Sequence, residues 1–299
     1  MQNFLLIITL LLIGMGIKRL AIFPKETGNI LNLTVIYISY PALVLLNIPK
    51  LVFSSKLLIP AITPWVMLVF SAALVLLLSK ILKWDRAITG CLLLLVPLGN
   101  TSFLGIPMVR AFLGEQAVPY ALVYDQLGSF PALATYGTLI LAIYGAGTSK
   151  PSLQKSIKKV LTFPPFIALL LALLLRPITY HRAFTSLLDM LAATLVPLVM
   201  IAVGYQLQLK MDKAILSPLA LGLLLKLIIA PLAALLLFRL INFDGELVQV
   251  SIFEAGMPPM VTAGALAILD DLSPPLAAAL VGIGILFSFL TLPLLYQLL

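Results

Sequence analysis

Charged and chemically reactive side chains are scarce in this sequence. Only 10% of its 299 residues are Asp, Glu, Lys or Arg, and it has one cysteine, Cys91, and one histidine, His181. A single cysteine excludes a disulfide within the chain. His181 stands next to Arg182 in a polar connection, which argues against a buried serine–histidine site. No cluster of His, Cys and carboxylate residues has metal-ligand spacing. Because these residues and patterns are absent from the sequence, we expect the protein not to be an enzyme and to have no resident cofactor.

Apolar residues make up 62% of the chain, and they occur in runs of about 20 residues. A run of that length crosses the ~30 Å hydrocarbon layer of a lipid bilayer as a helix. The sequence therefore predicts an all-α polytopic membrane protein with ten transmembrane helices. The predicted spans are 3–22, 28–49, 57–80, 87–113, 117–146, 160–178, 184–208, 214–238, 247–269 and 274–298.

The net charge of +8 comes largely from basic residues in short connections, which is typical of membrane proteins. A nucleic-acid partner is therefore not expected. Twelve of the 19 Lys and Arg residues fall in odd-numbered loops and six in even-numbered loops. Cytoplasmic loops carry the excess of basic residues. This bias predicts a multi-pass protein of the plasma (cytoplasmic) membrane with both termini outside.

The two halves of the chain match each other at an offset of 156 residues. Pro41 then falls on Pro197, Pro119 on Pro275, and Asn100 on Gly256. Five spans in each half would give the halves opposite orientations, an inverted repeat that is common in secondary transporters. The predicted division is a first repeat with helices 1–5 (1–146), a short cytoplasmic linker (147–159) and a second repeat with helices 6–10 (160–299).

Two stretches at corresponding positions in the halves should break their helices. They are PLGNTSFLGIP in span 4 and EAGMPPMVTAG in span 9. Pro97 and Gly99 can end one half-helix, and Asn100, Thr101 or Ser102 can cap the next. In span 9, Gly256 can end the first half, with Pro258 and Pro259 in the first turn of the second. Two half-helix N-termini facing one cavity would favour an anion. Simple proline kinks are the alternative.

Four ionisable residues are predicted inside spans, where charge is costly and often functional: Arg110, Asp125, Lys226 and Glu254. Arg110 lies near a span end and can reach the interface. Glu254 either pairs with Lys226 or holds Na⁺ or a proton. Gln126 and Ser129, close to Asp125 in sequence, complete the predicted coupling set. Other polar residues either line the site or make interhelical contacts: Asn32, Tyr37, Ser39, Tyr40, Tyr205 and Gln206.

Three motifs resemble the auxin efflux carrier family, which includes the plant PIN-formed auxin exporters and bacterial malate or malonate permeases. They are GNTSFLGIPM (99–108), YALVYDQLGSF (120–130) and MPPMVTAGALA (257–267). The resemblance spans essentially the full length. It implies a five-plus-five inverted repeat in which broken helices 4 and 9 cross. Helices 1, 2, 6 and 7 would form a scaffold, and 3–5 with 8–10 a transport domain that moves like an elevator. The long central loop of the plant proteins is absent here.

The expected function is secondary transport of a small organic anion, such as malate, malonate or an auxin-like weak acid. A sodium-coupled symporter of the bile-acid:sodium symporter type and a passive anion channel are the alternatives. A homodimer through the scaffold helices is a further expectation. Because GMPPM lacks a carboxamide side chain, recognition by side chains is expected at Asn100 to Ser102. The predicted substrate-binding residues are Asn100, Thr101, Ser102, Gly105, Gly256, Met257 and Pro258.

Overall fold

A computed structural model describes residues 2–51, 54–146, 153–178, 180–207 and 215–299. These residues form helices and contain no β-strand. Predicted linker residues 147–152 and the connection 208–214 lie outside the described ranges. The α-helices are α1 (Gln2–Ile17), α2 (Thr27–Thr34), α3 (Tyr40–Asn47), α4 (Leu58–Leu82), α5 (Arg86–Leu95), α6 (Ile106–Phe112), α7 (Val118–Tyr124), α8 (Phe130–Ala132), α9 (Thr138–Tyr144), α10 (Leu153–Leu161), α11 (Pro164–Leu174), α12 (Arg182–Ala193), α13 (Leu195–Gln206), α14 (Leu216–Leu224), α15 (Ala230–Leu240), α16 (Glu246–Ala255), α17 (Val261–Leu269) and α18 (Pro274–Tyr296).

Several of these α-helices join end to end into longer helices. Within the described ranges, six continuous helices are long and apolar enough to cross a bilayer: Thr27–Lys50, Ser55–Leu82, Glu115–Tyr144, Arg182–Gln206, Leu216–Leu240 and Pro274–Tyr296. Shorter apolar helices are Phe4–Ile17, Arg86–Leu95 and Pro164–Leu174. Large apolar side chains project from the surface, with Leu174 at 73% exposure. Exposure on this scale suits contact with lipid. The polytopic helical membrane protein predicted from the sequence is confirmed.

Proline shapes the long helices through π-helical segments. Such a segment ends two residues before Pro41, Pro107, Pro131 and Pro231, and these segments are Val35–Ser39, Thr101–Gly105, Asp125–Ser129 and Leu225–Ile229. Because proline has no N–H, the carbonyl four residues earlier loses its helical donor. The wider π turn accommodates that loss, and π turns are frequent at functional sites. In one case a side chain replaces the donor: Trp65 Nε1 donates to Leu127 O, 3.0 Å away and four residues before Pro131.

The contacts divide the chain into two compact units. Unit 1 consists of Met1–Ser55, Ser102–Leu122 and Lys158–Leu207. Within it, α1 packs closely on α13. Gly14 faces the carbonyl oxygen of Ile201, and Gly204 faces that of Leu11, so closely that a Cβ on either glycine would overlap the oxygen. Small residues that allow such close backbone approach are typical of helix pairs in membranes.

Unit 2 consists of Lys56–Thr101, Val123–Ile157 and Gln208–Leu299. Its core is centred on α5, whose buried Leu92, Leu94 and Leu95 pack among apolar side chains of α14, α17 and α18. The free cysteine, Cys91, is part of this core and fully buried. Both stretches that were expected to break their helices have their central residues, 96–101 and 254–260, in unit 2.

Candidate functional site

The first break follows α5. The Asp85 carboxylate starts that helix by accepting a hydrogen bond from Ile88 N at 2.7 Å, as an N-cap does. The helix ends at Leu95, and the chain becomes helical again at Thr101. Pro97 and Gly99 lie in the non-helical interval, as the sequence predicted. Asn100 is the last residue before the second helical segment.

The second break follows α16, which ends at Ala255. Gly256 N bonds back to Ile252 O and Phe253 O, which closes the last turn. The prediction that Pro258 and Pro259 occupy the first turn of the next half-helix is wrong, because α17 begins at Val261. A residue before proline disfavours the helical conformation. Pro258 precedes Pro259, and the backbone from Met257 to Met260 is not helical.

The two breaks are joined to each other by backbone hydrogen bonds. Asn100 N donates to Pro258 O at 2.8 Å, and Met260 N donates to Leu98 O at 3.0 Å. These bonds frame an isolated antiparallel bridge between Gly99 and Pro259. Non-helical backbone at membrane depth is tolerated where protein satisfies its polar groups. The two hydrogen bonds satisfy some of the backbone N–H and C=O groups of the breaks, and they bring both predicted motifs together.

A small cavity beside the paired breaks collects most of the predicted coupling residues. It is lined by side chains from four helical segments and by both breaks, among them Ser71, Thr101, Ser129, Lys226 and Glu254. All of these residues belong to unit 2. Polar side chains thus line part of the cavity, with one basic and one acidic side chain among them.

Lys226 reaches this cavity from the π-helical segment of span 8. Its side chain is buried, and Nζ donates to the carbonyl oxygen of Ala255 at 3.3 Å. The last carbonyls of a helix have no partner within the helix and carry the negative end of its dipole. The ammonium therefore caps α16. A Cβ at Gly99 would lie only 3.1 Å from Nζ, so the glycine leaves room for the ammonium beside the first break.

Glu254 is fully buried in the same cavity, and neither of its carboxylate oxygens has a hydrogen-bond partner among the described residues. It therefore makes no hydrogen bond with Lys226. The Lys226 ammonium donates to the Ala255 carbonyl, and its charge acts on Glu254 without a hydrogen bond between the two side chains. The two alternatives from the sequence, an ion pair with Lys226 or a site for Na⁺ or a proton, therefore stay predictions. A buried carboxylate without a hydrogen-bond donor is costly when ionised.

Asp125 is held differently. Its Oδ1 accepts a hydrogen bond from Thr101 Oγ1 at 2.6 Å, and its Oδ2 accepts one from Gln126 Nε2 at 2.8 Å. The first bond ties Asp125 to Thr101, the residue that follows the first break, and the second lies within the π-helical segment Asp125–Ser129. Ser129 lines the cavity.

Asn100 offers a free donor at the junction of the breaks. Its backbone N–H is used in the pairing, but its side-chain Nδ2 is buried and has no partner among the described residues. The residues on either side of it, Gly99 and Thr101, line the cavity. The other predicted substrate-binding residues are Ser102 and Gly105 in the following π-helical segment, and Gly256, Met257 and Pro258, which are buried in the second break.

Comparison with known proteins assigns the chain to a family. A model of the membrane transport protein family matches residues 1–296. The chain belongs to this family. The predicted relationship to the auxin efflux carriers is thereby confirmed. An uncharacterized transporter of Methanocaldococcus jannaschii is 32% identical over 98% of this chain and 97% of its own length. A second, from Methanothermobacter thermautotrophicus, is 26% identical over 98% of this chain and 96% of its own length.

Family membership makes this chain a membrane transporter, which works in a lipid bilayer on a small-molecule substrate. Neither the description of the family nor the names of the two relatives denote a class of enzyme. In the part of the transporter that the structure describes, no three His, Cys, Asp or Glu side chains are grouped as metal ligands.

Among the polar residues that line the transporter's cavity, sequence reasoning missed two, Ser71 of α4 and Tyr124 of α7. Ser71 carries a weak signal, since it is one of few polar residues in a long apolar run, and Tyr124 stands in the YALVYDQLGSF motif. Nothing in the sequence shows which helix faces a cavity. The tertiary packing alone brings α4 to this wall.

Polar residues of predicted spans 2 and 7 make interhelical contacts inside unit 1. Asn32 Nδ2 donates to Gln206 Oε1 at 3.3 Å, and the Ser39 and Thr194 hydroxyls lie 2.6 Å apart. Tyr205 donates to the carbonyl of Pro24 at 2.7 Å. Asn32, Ser39 and Gln206 therefore make interhelical contacts, whereas Tyr205 contacts the connection before α2. Arg110, at the end of α6, pairs with Glu115 through a 2.9 Å hydrogen bond from Nη2 to Oε1.

Proposed function

We propose that this transporter carries small organic anions, such as malate, malonate or an auxin-like weak acid. The observation that carries the proposal is the buried Lys226 ammonium between the two broken helices. A fixed positive charge in a membrane-embedded cavity lowers the cost of admitting an anion. It also disfavours a cationic substrate at the same place.

Asn100 is proposed to bind the carboxylate of the substrate. Its buried Nδ2 lacks a partner among the described residues, and a carboxylate oxygen can supply one. The second helical segment of span 4 begins at the next residue, so its first N–H groups and dipole also favour negative charge. Thr101 then completes the recognition site in this proposal, and Ser102, which belongs to unit 1, stays a predicted substrate-binding residue.

The proposed architecture has ten transmembrane helices in two inverted repeats, 1–146 and 160–299, with helices 4 and 9 crossing. The pairing of the two breaks by backbone hydrogen bonds supports the crossing. Unit 1 collects predicted spans 1, 2, 6 and 7, together with residues 102–122. This division supports an elevator mechanism with a scaffold and a transport domain. Both termini are proposed to lie outside the plasma membrane.

Glu254 is proposed to couple transport to a cation or a proton. An ionised Glu254 would repel an anion in the same cavity, so neutralising it should accompany substrate binding. The sodium-coupled symporter remains the second candidate because of this buried carboxylate. A channel would have no need to neutralise Glu254 in each cycle.

Uptake into proteoliposomes tests the proposal. The purified protein is reconstituted and given radiolabelled malate, malonate or indole-3-acetate, with choline as a cationic control and glycerol as a neutral one. We expect saturable uptake and counterflow for at least one carboxylate and none for choline or glycerol. Uptake that rises linearly without counterflow would indicate a channel. Uptake of choline in place of the acids would reject anion transport. Imposed Na⁺ and proton gradients distinguish the two coupling modes.

A further inference from the structure

We infer that the ammonium of Lys226 is the resident cation of this site and takes the place that a coupling Na⁺ would otherwise occupy. The inference rests on the proposed function and identifies which group balances the negative charge in the proposed site. Nζ lies 3.3 Å from the Ala255 carbonyl oxygen, at the C-terminal end of the half-helix α16. In transporters with broken helices, such half-helix ends and unwound carbonyls are where Na⁺ is coordinated.

The residues that line this cavity include side chains with the oxygen atoms that a hard cation requires. Glu254, Thr101 and Ser129 line it together with Ala255. Carboxylate, carbonyl and hydroxyl oxygens are the ligands of hard cations. Glu254 has no hydrogen-bond donor among the described residues, so its negative charge is left to a nearby cation or to a proton.

Lys226 already fills the cation position of this set. Its side chain is 4% exposed and reaches the carbonyl from the π-helical segment Leu225–Ile229. Gly99 lies close to the ammonium, because a Cβ added to this glycine would be 3.1 Å from Nζ. A Na⁺ at the Ala255 carbonyl would lie beside the ammonium, and like charges repel strongly at that separation in a weakly polar environment. The site therefore excludes Na⁺ while Lys226 is in place.

The inference predicts that removing the ammonium creates a sodium site. We would measure the Tm of the purified full-length protein in NaCl and in choline chloride at equal concentration. Wild type should show the same Tm in both salts. Lys226→Ala should show a saturable, Na⁺-specific rise on the order of 5 °C, because an ion that binds only the folded state stabilises it. Lys80→Ala removes an exposed lysine of α4 and should behave as wild type.

Two results would overturn the inference. One is a Na⁺-specific rise in the Tm of wild type. The other is a folded Lys226→Ala protein whose Tm does not distinguish Na⁺ from choline. If Lys226→Ala does not fold, equilibrium binding of radioactive Na⁺ to wild type decides: no saturable binding is expected, and saturable binding would reject the resident-cation role. Neither measurement uses an organic anion, so failure of this inference is distinguishable from failure of the proposed substrate class.

Discussion

Glu254 has two carboxylate oxygens without hydrogen-bond partners among the described residues, although its side chain is fully buried. Lys226, in the same cavity, donates to the Ala255 carbonyl. A carboxylate without a hydrogen-bond donor is expensive to keep charged, although the charge of Lys226 acts on it. At the residue scale, the lack of a hydrogen bond between these two side chains is the basis on which we propose a coupling role for Glu254.

Glu254→Gln should fold with little loss of stability but change the coupling of transport. The amide keeps the size of the side chain and removes its titration. We expect uptake of the transported carboxylate to slow and to lose its dependence on external pH, measured as initial rates in proteoliposomes. Glu246→Gln, in the first turn of the same helix, is the matched control and should keep the dependence.

An unchanged pH dependence in Glu254→Gln would remove this residue from the coupling mechanism. An unstable Glu254→Gln protein that is rescued by Lys226→Met would instead support a structural ion pair. That rescue is not expected, because the hydrogen bond from Lys226 Nζ goes to a main-chain oxygen.

Asn100→Ala should weaken binding of the transported carboxylate without unfolding the protein. A lost hydrogen bond to a charged group costs about 1.5–3 kcal/mol, or roughly 10- to 150-fold in Kd. The backbone pairing of Asn100 with Pro258 does not involve its side chain and should persist. Calorimetric titration measures the Kd, and Asn29→Ala, at an exposed position, is the control. An unchanged Kd in Asn100→Ala would place the substrate elsewhere.

At the element scale, the helices are shaped by what proline and glycine do to the backbone. Proline frees a carbonyl and a π turn accommodates the change, while glycine lets two helices approach to backbone contact. Both effects are local in origin, but each involves a partner from another part of the chain. Trp65 supplies the donor for the freed carbonyl of Leu127, and α13 is the helix that approaches α1 at Gly14.

Trp65→Phe should destabilise the transporter by about 1–3 kcal/mol because the Leu127 carbonyl loses its donor. In a Pro131→Ala background the cost should be smaller, since the new N–H at residue 131 can bond to Leu127 O within the helix. The unfolding free energies of the two single variants, the double variant and wild type form a double-mutant cycle. Additive effects would show that the indole does not compensate for the proline.

Gly14→Ala and Gly204→Ala should each destabilise unit 1 by about 1–3 kcal/mol, because the added Cβ overlaps a carbonyl oxygen of the facing helix. Gly16 is on the same helix as Gly14 and has nothing within 4 Å of an added Cβ. Gly16→Ala should therefore be neutral or stabilise by up to about 1 kcal/mol through helix propensity. Equal effects of Gly14→Ala and Gly16→Ala on the Tm would contradict close packing of α1 on α13.

At the scale of the whole molecule, the proposal is a pair of inverted repeats with both termini outside. The offset of 156 residues and the excess of basic residues in odd-numbered loops are its basis. Within unit 2, the pairing of residues 98–100 with 258–260 joins the equivalent stretches of the two halves. Such pairing is what a two-fold relationship between repeats would produce near its axis.

Cysteine labelling tests the orientation. In a Cys91→Ser background, Ser152→Cys should not react with a membrane-impermeant maleimide in intact cells, because the central linker is proposed to be cytoplasmic. Ser54→Cys, in a loop predicted to be outside, is the matched control and should react. Both should react after the cells are permeabilised. Labelling of Ser152→Cys in intact cells, with protection of Ser54→Cys, would show that the orientation is the opposite of the one proposed.

The sequence by itself determined the class of protein, the positions of both helix breaks and the family. Hydropathy is a property of each run of residues, and the helix-breaking effects of Pro97, Gly99 and Gly256 act on their own neighbours, so no partner needs to be known. The three motifs likewise identify the family without any tertiary contact. The placement of Pro258 and Pro259 in a first helical turn was wrong because the following proline and the pairing with residues 98–100 keep this stretch non-helical.

Only the tertiary structure decided which atoms meet. Charge and predicted depth made Lys226 and Glu254 natural partners, yet the lysine donates to the carbonyl of the adjacent residue, Ala255. That choice depends on where α16 ends relative to the π-helical segment of span 8, and small differences in helix rotation decide it. Sequence spacing does not encode such rotations, because they result from the packing of several helices at once. For the same reason, neither the wall contributed by Ser71 nor the backbone pairing of the two breaks could be predicted from the sequence.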